Sequence, residues 1–344
     1  MWLRRRRLAE PLARDSGPAR VILYFRWDAV GLHGETVHGA TAVPEDALWI
    51  DLLEPTAAEE SRIEQFLRID VPTREEMREI EASNRFYQEG DVLYMTATVV
   101  TKLDTPRPEN SQITFILTPE RLITNRYVDP LPFRRFIAYA DRHPAQCNSA
   151  AAILAGLLEA MVNRIADVIE RTTDEMDALS AEVFGAPSNG RRRDRDYRAI
   201  LERVGRNGDL NSKARETLGS LARLVGFLQQ ANGIRLEDDV KSRLQSVLRD
   251  AEQLSNHAAF MSNKVQFLLD ATLGMINIDQ NNILKIFSVA TVVLLPPSVI
   301  GAIFGMNFDV IPTSHAAWGF WGALGIMAIS AIVPFMYFKQ RGWL

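Results

Sequence analysis

The sequence predicts an α/β cytoplasmic domain with a mostly antiparallel sheet, followed by a long helical stalk and a two-helix transmembrane hairpin at the C-terminus. Strand patterns occur before about residue 145, and helical patterns fill the chain after about residue 149. Two charge-free apolar stretches, Ile286 to Phe304 and Ala316 to Phe338, lie near the C-terminus. Each is long enough to cross a hydrocarbon core of roughly 30 Å as a helix. We therefore predict three domains: 1–148, 149–282 and 283–344.

The average composition resembles that of a soluble protein because the polar part of the chain dilutes the apolar end. The 344 residues carry a net charge of −4 and a mean hydropathy of −0.08. Arg4 to Arg7 precede no long apolar run, so we expect a basic arm rather than a secretory signal or a nucleic-acid patch. Cys147 is the single cysteine, which excludes an intrachain disulfide and suits a reducing cytosol.

The first domain combines short strand patterns with one amphipathic helix pattern, which is typical of an α/β domain. The helix pattern covers Glu59 to Leu67. Strand patterns occupy Val21–Phe25, Leu48–Leu52, two segments of Arg85–Lys102 around Gly90, and a hairpin of Ile113–Leu117 with Leu122–Tyr127. Short turns join the later strands, so we expect a largely antiparallel sheet.

Three helices are predicted after the first domain. The first covers Ala150 to Phe184, and the second runs from near Arg193 to about Gln230 with a soft spot at Gly205 to Gly208. The third begins near Leu236 and continues to Phe304, roughly 100 Å if it is one helix. This length indicates a stalk that continues into the first membrane span.

The first of these helices is rich in acidic residues, which allows two interpretations. They form either a solvated helix face, which we favour, or a site for hard divalent cations, which prefer oxygen ligands. Glu237 to Asp239, near the start of the stalk, are a second acidic candidate. The residues of the acidic helix are Glu159, Asp167, Glu170, Asp174, Glu175, Asp177 and Glu182.

Flanking charges predict the orientation of the hairpin. Lys285 precedes the first span, Lys339 and Arg341 follow the second, and the loop 308–315 contains no lysine or arginine. The positive-inside rule therefore places both termini in the cytoplasm and the short loop outside.

The first span carries a polar seam, defined as seven positions that recur at alternating intervals of four and three residues. This spacing places them on one side of a helix. The seam residues are Asn281, Leu284, Ser288, Thr291, Leu295, Ser298 and Ala302. Either the seam lines a pore, or its hydroxyl groups bond back to carbonyls of their own helix and have no transport role. Two helices cannot enclose a pore, so a transport role requires several copies of the chain.

Phosphate-binding and hydrolase signatures are missing from the sequence. We find no GxxxxGK[ST] loop, no HExxH helix and no GxSxG elbow. We therefore expect a protein that is not an enzyme and that needs no cofactor.

The C-terminal part of the chain resembles the CorA family of divalent-cation transporters. The resemblance rests on the Gly305-Met306-Asn307 motif after the first span, on the two-span hairpin and on the basic tail. It extends upstream through Leu273–Asn281 and Leu284–Ser288, which are similar to the magnesium and cobalt transporters of Gram-negative bacteria.

This resemblance implies a homopentamer in the bacterial inner membrane, embedded in lipid, with the first span of each copy around a central pore. Asn307, supported by Gly305 and Met306, would form the selectivity filter at the outer mouth. Leu284 and Leu295 would be constrictions, and Asn281 a polar ring at the cytoplasmic end. Mg²⁺ would be both the transported ion and a regulator bound between cytoplasmic domains, and the pore would also admit Co²⁺ and Ni²⁺.

Two other functions stay open from the sequence. The same fold could transport Zn²⁺ or another transition metal. Alternatively, the hairpin could merely anchor a sensor or scaffold, in which case Ser288 and Thr291 could be replaced by aliphatic residues without loss.

Overall fold

The computed structural model forms a seven-stranded sheet, a set of long helices and two apolar C-terminal helices. By its contacts the chain divides into two compact units, 1–182 with 203–266, and 183–202 with 267–344. The division into three domains stays a prediction. The structure describes residues 21–27, 32–37, 44–79, 81–103, 105, 107–185, 196–306 and 318–343.

The sheet contains both types of strand pairing, in the order β2-β1-β3-β7-β6-β5-β4. The pair β3 and β7 is parallel, with Trp49 opposite Leu122, and the other neighbouring strands are antiparallel. The expected fold class, with a mostly antiparallel sheet, is therefore confirmed. The strands are β1 (Val21–Trp27), β2 (Leu32–Val37), β3 (Ala47–Leu53), β4 (Phe86–Glu89), β5 (Val92–Thr101), β6 (Glu109–Leu117) and β7 (Leu122–Arg126).

Short helices surround the sheet. Helix α1 (Ala57–Leu67) begins with a capping box, in which the Thr56 hydroxyl accepts from the Glu59 backbone and the Glu59 carboxylate accepts in return. Helix α2 (Ala82–Arg85) is a single turn, and α3 (Leu131–Ala140) packs Phe133 and Phe136 against Trp49. Two 3-10 turns cover Glu76–Arg78 and Pro144–Gln146.

Three long helices follow, close to the predicted positions. They are α4 (Ala150–Phe184), α5 (Tyr197–Gln230) and α6 (Asp238–Phe304). The predicted start of the second helix near Arg193 lies outside the described residues. The predicted soft spot at Gly205 to Gly208 was wrong, because α5 is continuous through these residues. A Cβ on Gly208 would lie 3.1 Å from Val265 Cγ1 of α6. That glycine therefore permits close packing of α5 against α6.

The last helix, α7 (Gly319–Gln340), and the end of α6 form the apolar pair. Helix α6 is 67 residues long and contains Pro296 and Pro297 without interruption. The expected long helix and the two C-terminal apolar helices are thus confirmed.

Candidate ion pathway in the first membrane helix

The two apolar helices leave almost all of their apolar surface exposed. Their most apolar 18-residue windows are only 6% and 11% buried, respectively, in α6 and α7. The core helix of a soluble protein would bury these side chains, because exposing them to water costs about 25 cal/mol per Å². Both helices are long and apolar enough to cross a membrane, and lipid is the environment that matches their exposed surface.

One side of the first span is covered by its own chain. Val289 is 4% exposed, and a Cβ on Gly301 would lie 3.5 Å from Met327 Cε of α7. The less exposed residues of this segment share that side of the helix. They are Val289, Val293, Pro296, Pro297, Ile300, Gly301 and Phe304.

The polar seam lies on the opposite side of α6. At 3.6 residues per turn, its mean direction is about 180° from that of the covered side. All seven seam residues are exposed, including Leu284 at 62% and Leu295 at 57%. The structure therefore presents the seam as one continuous surface, turned away from α7.

The seam hydroxyls bond back to their own helix. Ser288 Oγ donates to the Leu284 carbonyl at 2.8 Å, and Thr291 Oγ1 donates to the Phe287 carbonyl at 2.9 Å. Ser298 Oγ donates to the Leu294 carbonyl at 2.8 Å. These hydrogen bonds are the ones expected if the seam had no transport role. Each of them uses only the proton of the hydroxyl group. The oxygen lone pairs can still accept hydrogen bonds from water.

The span ends in a tight turn at Gly305. The Gly305 N–H donates to the Gly301 carbonyl at 3.0 Å, and a Cβ on Gly305 would approach that oxygen to 3.2 Å. A side chain here would crowd backbone, which explains a glycine at this position. Met306 is 48% exposed. Asn307 and the loop to residue 317 lie outside the described residues.

Upstream of the span, α6 contacts the end of α4 and the start of α5. Tyr197 Oη donates to Asp279 Oδ2 at 2.5 Å, and Phe184 stacks on Phe267 with ring centroids 5.6 Å apart. Asp279 lies about 9 Å along the helix from Lys285, at 1.5 Å per residue. Sequence reasoning missed these contacts, since no local pattern pairs residues so distant in the chain.

The acidic face of α4 is largely ion-paired. Five of its seven acidic residues contact basic residues of other elements, which supports the interpretation as a solvated, paired face. Within the described ranges, no three His, Cys, Asp or Glu side chains come together as a metal site. The pairs are Glu159 with Arg243, Asp167 with Arg135, Glu175 and Glu182 with Arg203, and Asp177 with Lys264.

Comparisons with known proteins agree with this architecture. Residues 44–340 match the model of the CorA-like Mg²⁺ transporter protein family. The magnesium transport proteins CorA of Yersinia pestis and Wolinella succinogenes are 34% and 33% identical, over 87% and 90% of this chain and 92% and 94% of their own lengths. The structure of CorA from Methanocaldococcus jannaschii superposes with a TM-score of 0.72 at 16% identity, covering 94% of this chain and 99% of that one.

The matches to magnesium transport proteins over most of the chain, together with the two candidate membrane helices, place the chain in the class of two-span membrane transporters. The chain belongs to the CorA-like Mg²⁺ transporter family. The resemblance inferred from the Gly305-Met306 segment and the hairpin is thereby confirmed for most of the chain.

Proposed function

We propose that this protein is a Mg²⁺ channel whose pore is lined by the polar seam of α6. The observation that carries this proposal is the full exposure of the seam on the side of α6 opposite α7. Polar groups in a membrane helix require a partner helix, their own backbone or water. The names of the curated relatives, which are magnesium transport proteins, support Mg²⁺ as the ion.

The channel is a homo-oligomer in this proposal, and we favour a pentamer. A single hairpin cannot enclose a pore, so seams from several copies must face a common axis. Apolar side chains flank the seam, including Phe287 at 67% exposed and Ile303 at 53% exposed. These flanks supply surface for contacts between copies and with lipid.

Asn307 forms the filter in this proposal, with Gly305 and Met306 supporting it. Mg²⁺ gives up its water reluctantly and usually keeps several water ligands. A ring of neutral amide oxygens can accept hydrogen bonds from those waters without stripping the ion. Carboxylates at the same place would attract the ion more strongly and slow its release.

Below the filter, the seam would form rings of hydroxyl groups that alternate with rings of leucine side chains. Ser288, Thr291 and Ser298 offer lone pairs to water, while Leu284 and Leu295 form apolar constrictions that close by dewetting. Ala302 leaves space beneath the filter, and Asn281 forms a polar ring at the inner end. The same geometry would pass Co²⁺ and Ni²⁺, which also travel as hydrated divalent ions.

The membrane potential drives uptake, so no nucleotide hydrolysis is needed. A divalent cation that moves inward across 100 mV gains about 4.6 kcal/mol, which is twice the value of about 2.3 kcal/mol per charge. Lys285, Lys339 and Arg341 flank the spans on one side, which favours cytoplasmic termini in the bacterial inner membrane.

Intracellular Mg²⁺ closes the channel in this proposal by binding between copies. No described cluster within one chain offers three acidic ligands, so a regulatory ion needs a second chain or retained water. Asp238 is fully exposed and contacts Lys241 at 3.4 Å in a surface ion pair, which is weak enough to be exchanged for such contacts. If Asp238→Asn with Asp239→Asn leaves inhibition by cytoplasmic Mg²⁺ unchanged, these residues are not the sensor.

The proposed function is tested with purified protein in liposomes that contain a Mg²⁺-sensitive dye. We expect potential-driven Mg²⁺ entry, and we expect Asn307→Ala to change the rate at least about tenfold because it removes the filter amide from every copy. Asn263→Ala is the matched control, since it removes an exposed amide from the soluble part of α6.

The remaining outcomes separate the other functions. Zn²⁺ entry without Mg²⁺ entry would make the protein a zinc transporter of the same fold. If a folded oligomer passes neither ion, the hairpin is an anchor and the protein is a sensor or scaffold.

A further inference from the structure

A cavity of about 900 Å³ opens at one edge of the sheet. It lies where the parallel strands β3 and β7 end, so that Glu54 and Tyr127 line it directly after their strands. The end of β5 and the start of β6 complete the same edge, because Thr101 pairs with Glu109. Ligand sites recur beyond the carboxyl ends of parallel strands in α/β folds.

The charge of the cavity is opposite to that of the whole chain. Among the residues that the structure describes, five basic and three acidic side chains line it, whereas the net charge of the protein is −4. Such a local excess of positive charge attracts anions. The lining charged residues are Arg74, Arg78, Lys102, Arg134, Arg164, Glu54, Glu109 and Asp129.

Two of the three lining acids are already neutralised by ion pairs. Asp129 is bonded by Arg126 at 3.0 Å and by Arg134 at 3.3 Å, and Glu109 by Lys102 at 2.7 Å. Burial, and then the hydrogen bond to Glu60, raise the pKa of Tyr127, so its phenol adds no negative charge at neutral pH.

The guanidinium groups of Arg74 and Arg78 are exposed at the cavity and can bind a ligand. The Arg74 guanidinium lies 5.2 Å from the centre of the Tyr127 ring, which orients it beside the cavity. Arg78 ends the neighbouring 3-10 turn and is also exposed. Planar guanidinium groups bind phosphate and carboxylate oxygens in pairs of hydrogen bonds.

We propose that this cavity binds a phosphorylated organic molecule of nucleotide size, with Arg74 and Arg78 on the phosphates. The volume falls within the range of about 300 to 1,000 Å³ that is usual for small-molecule sites. The inference is independent of the transport proposal, because the cavity belongs to the sheet domain and binding can be measured without ion flux.

Calorimetric titration of the full-length protein in detergent, without divalent cations, tests the site with ATP, tripolyphosphate and adenosine. We expect ATP to bind once per chain, more tightly than tripolyphosphate, and adenosine to bind far more weakly than either. Arg74→Ala and Arg78→Ala should each weaken ATP binding at least about tenfold.

Arg249→Ala is the matched control, because Arg249 is an exposed arginine of α6 outside the cavity. If Arg249→Ala weakens ATP binding as much as Arg74→Ala and Arg78→Ala do, the binding is non-specific electrostatic attraction and the proposal is overturned. Absence of ATP binding, or adenosine binding as tight as that of ATP, would also overturn it. Variants are compared only where their melting temperature matches that of the native chain.

Discussion

Polar side chains serve opposite purposes in the sheet domain and in the first membrane helix. In the sheet, Asp51 and Arg126 are 0% and 2% exposed and bond to each other at 2.7 Å. On the span, Ser288 and Thr291 are exposed on a surface that is otherwise apolar. The buried pair is completed by partners within the chain, whereas the seam hydroxyls donate to their own helix and still present oxygen lone pairs on an exposed surface.

The buried network of the sheet is complete within the chain. Arg126 donates to both carboxylate oxygens of Asp51 and also to the Val128 carbonyl at 2.8 Å. Thr124 donates to the same carboxylate at 2.6 Å and accepts from Trp49 Nε1 at 3.0 Å. Burial lowers the pKa of Arg126, but the attraction and hydrogen bonds of Asp51 and Asp129 together outweigh this effect and raise the pKa overall. The guanidinium therefore stays charged and paired.

The largest effect in this comparison should come from breaking the buried pair. Arg126→Met leaves Asp51 buried without its partner, which typically costs about 3 to 5 kcal/mol of unfolding free energy. Thermal unfolding of the full-length protein in detergent measures the change as a lower melting temperature.

Arg134→Met is the matched control for the buried pair. Arg134 contacts Asp129 with 64% of its side chain exposed, and such surface pairs contribute about 0 to 1 kcal/mol. The double variant Arg126→Met with Asp51→Leu should recover part of the loss, since it removes both charges. Equal losses from Arg126→Met and Arg134→Met would contradict a structural role for the buried network.

The sequence predicted most of this fold because its signals were local. The α4 bounds follow from an uninterrupted helical pattern. The β4–β5 turn follows from Glu89-Gly90-Asp91, and in the structure Gly90 has a φ of 58°, which glycine adopts without strain. Strand β2 was missed because Leu32–Val37 is short and contains Gly34. Helix α3 was missed although Phe133, Phe136 and Ala140 follow helical spacing.

Long-range features had no such signal. Nothing in either strand indicates that β3 and β7 pair in parallel, since pairing depends on the whole topology. For the candidate pathway, helical spacing placed the seam on one side, but the position of α7 on the other side required coordinates. The basic partners of the α4 acids were also unpredictable, because they belong to other elements.

The second largest effect should appear in transport rather than in stability. Replacing the seam hydroxyls, as Ser288→Ala, Thr291→Val and Ser298→Ala together, removes the lone pairs that accept water while leaving the helix backbone bonded. We expect Mg²⁺ flux to fall several-fold because the hydrated ion loses the rings of hydroxyl groups. The unfolding free energy should change little, since bonds from a serine or threonine hydroxyl back to its own helix do not stabilise the helix. Liposome flux and thermal unfolding of the same preparations measure both quantities.

Ser330→Ala on α7 provides the control for the seam. Its hydroxyl also bonds back to its own helix, to the Met327 carbonyl at 2.8 Å, but it lies outside the seam. Its flux should equal that of the native chain. If the triple variant transports Mg²⁺ as fast as Ser330→Ala does, the seam is not the wall of the pore.

The smallest effect concerns how closely helices pack in the two regions. A Cβ on Gly208, in the soluble helices, would lie 3.1 Å from Val265 Cγ1, whereas one on Gly301 would meet Met327 Cε at an ordinary 3.5 Å. Gly208→Ala should therefore cost up to about 2 kcal/mol, because the half-buried Val265 must move away from α5. Gly301→Ala should be neutral or slightly stabilising, because alanine favours a helix over glycine by about 1 kcal/mol and a flexible methionine can adapt. Thermal unfolding of the two variants, measured in parallel, tests this expectation. A larger loss of unfolding free energy for Gly301→Ala than for Gly208→Ala would mean that contacts between copies, rather than α7, set the packing at Gly301.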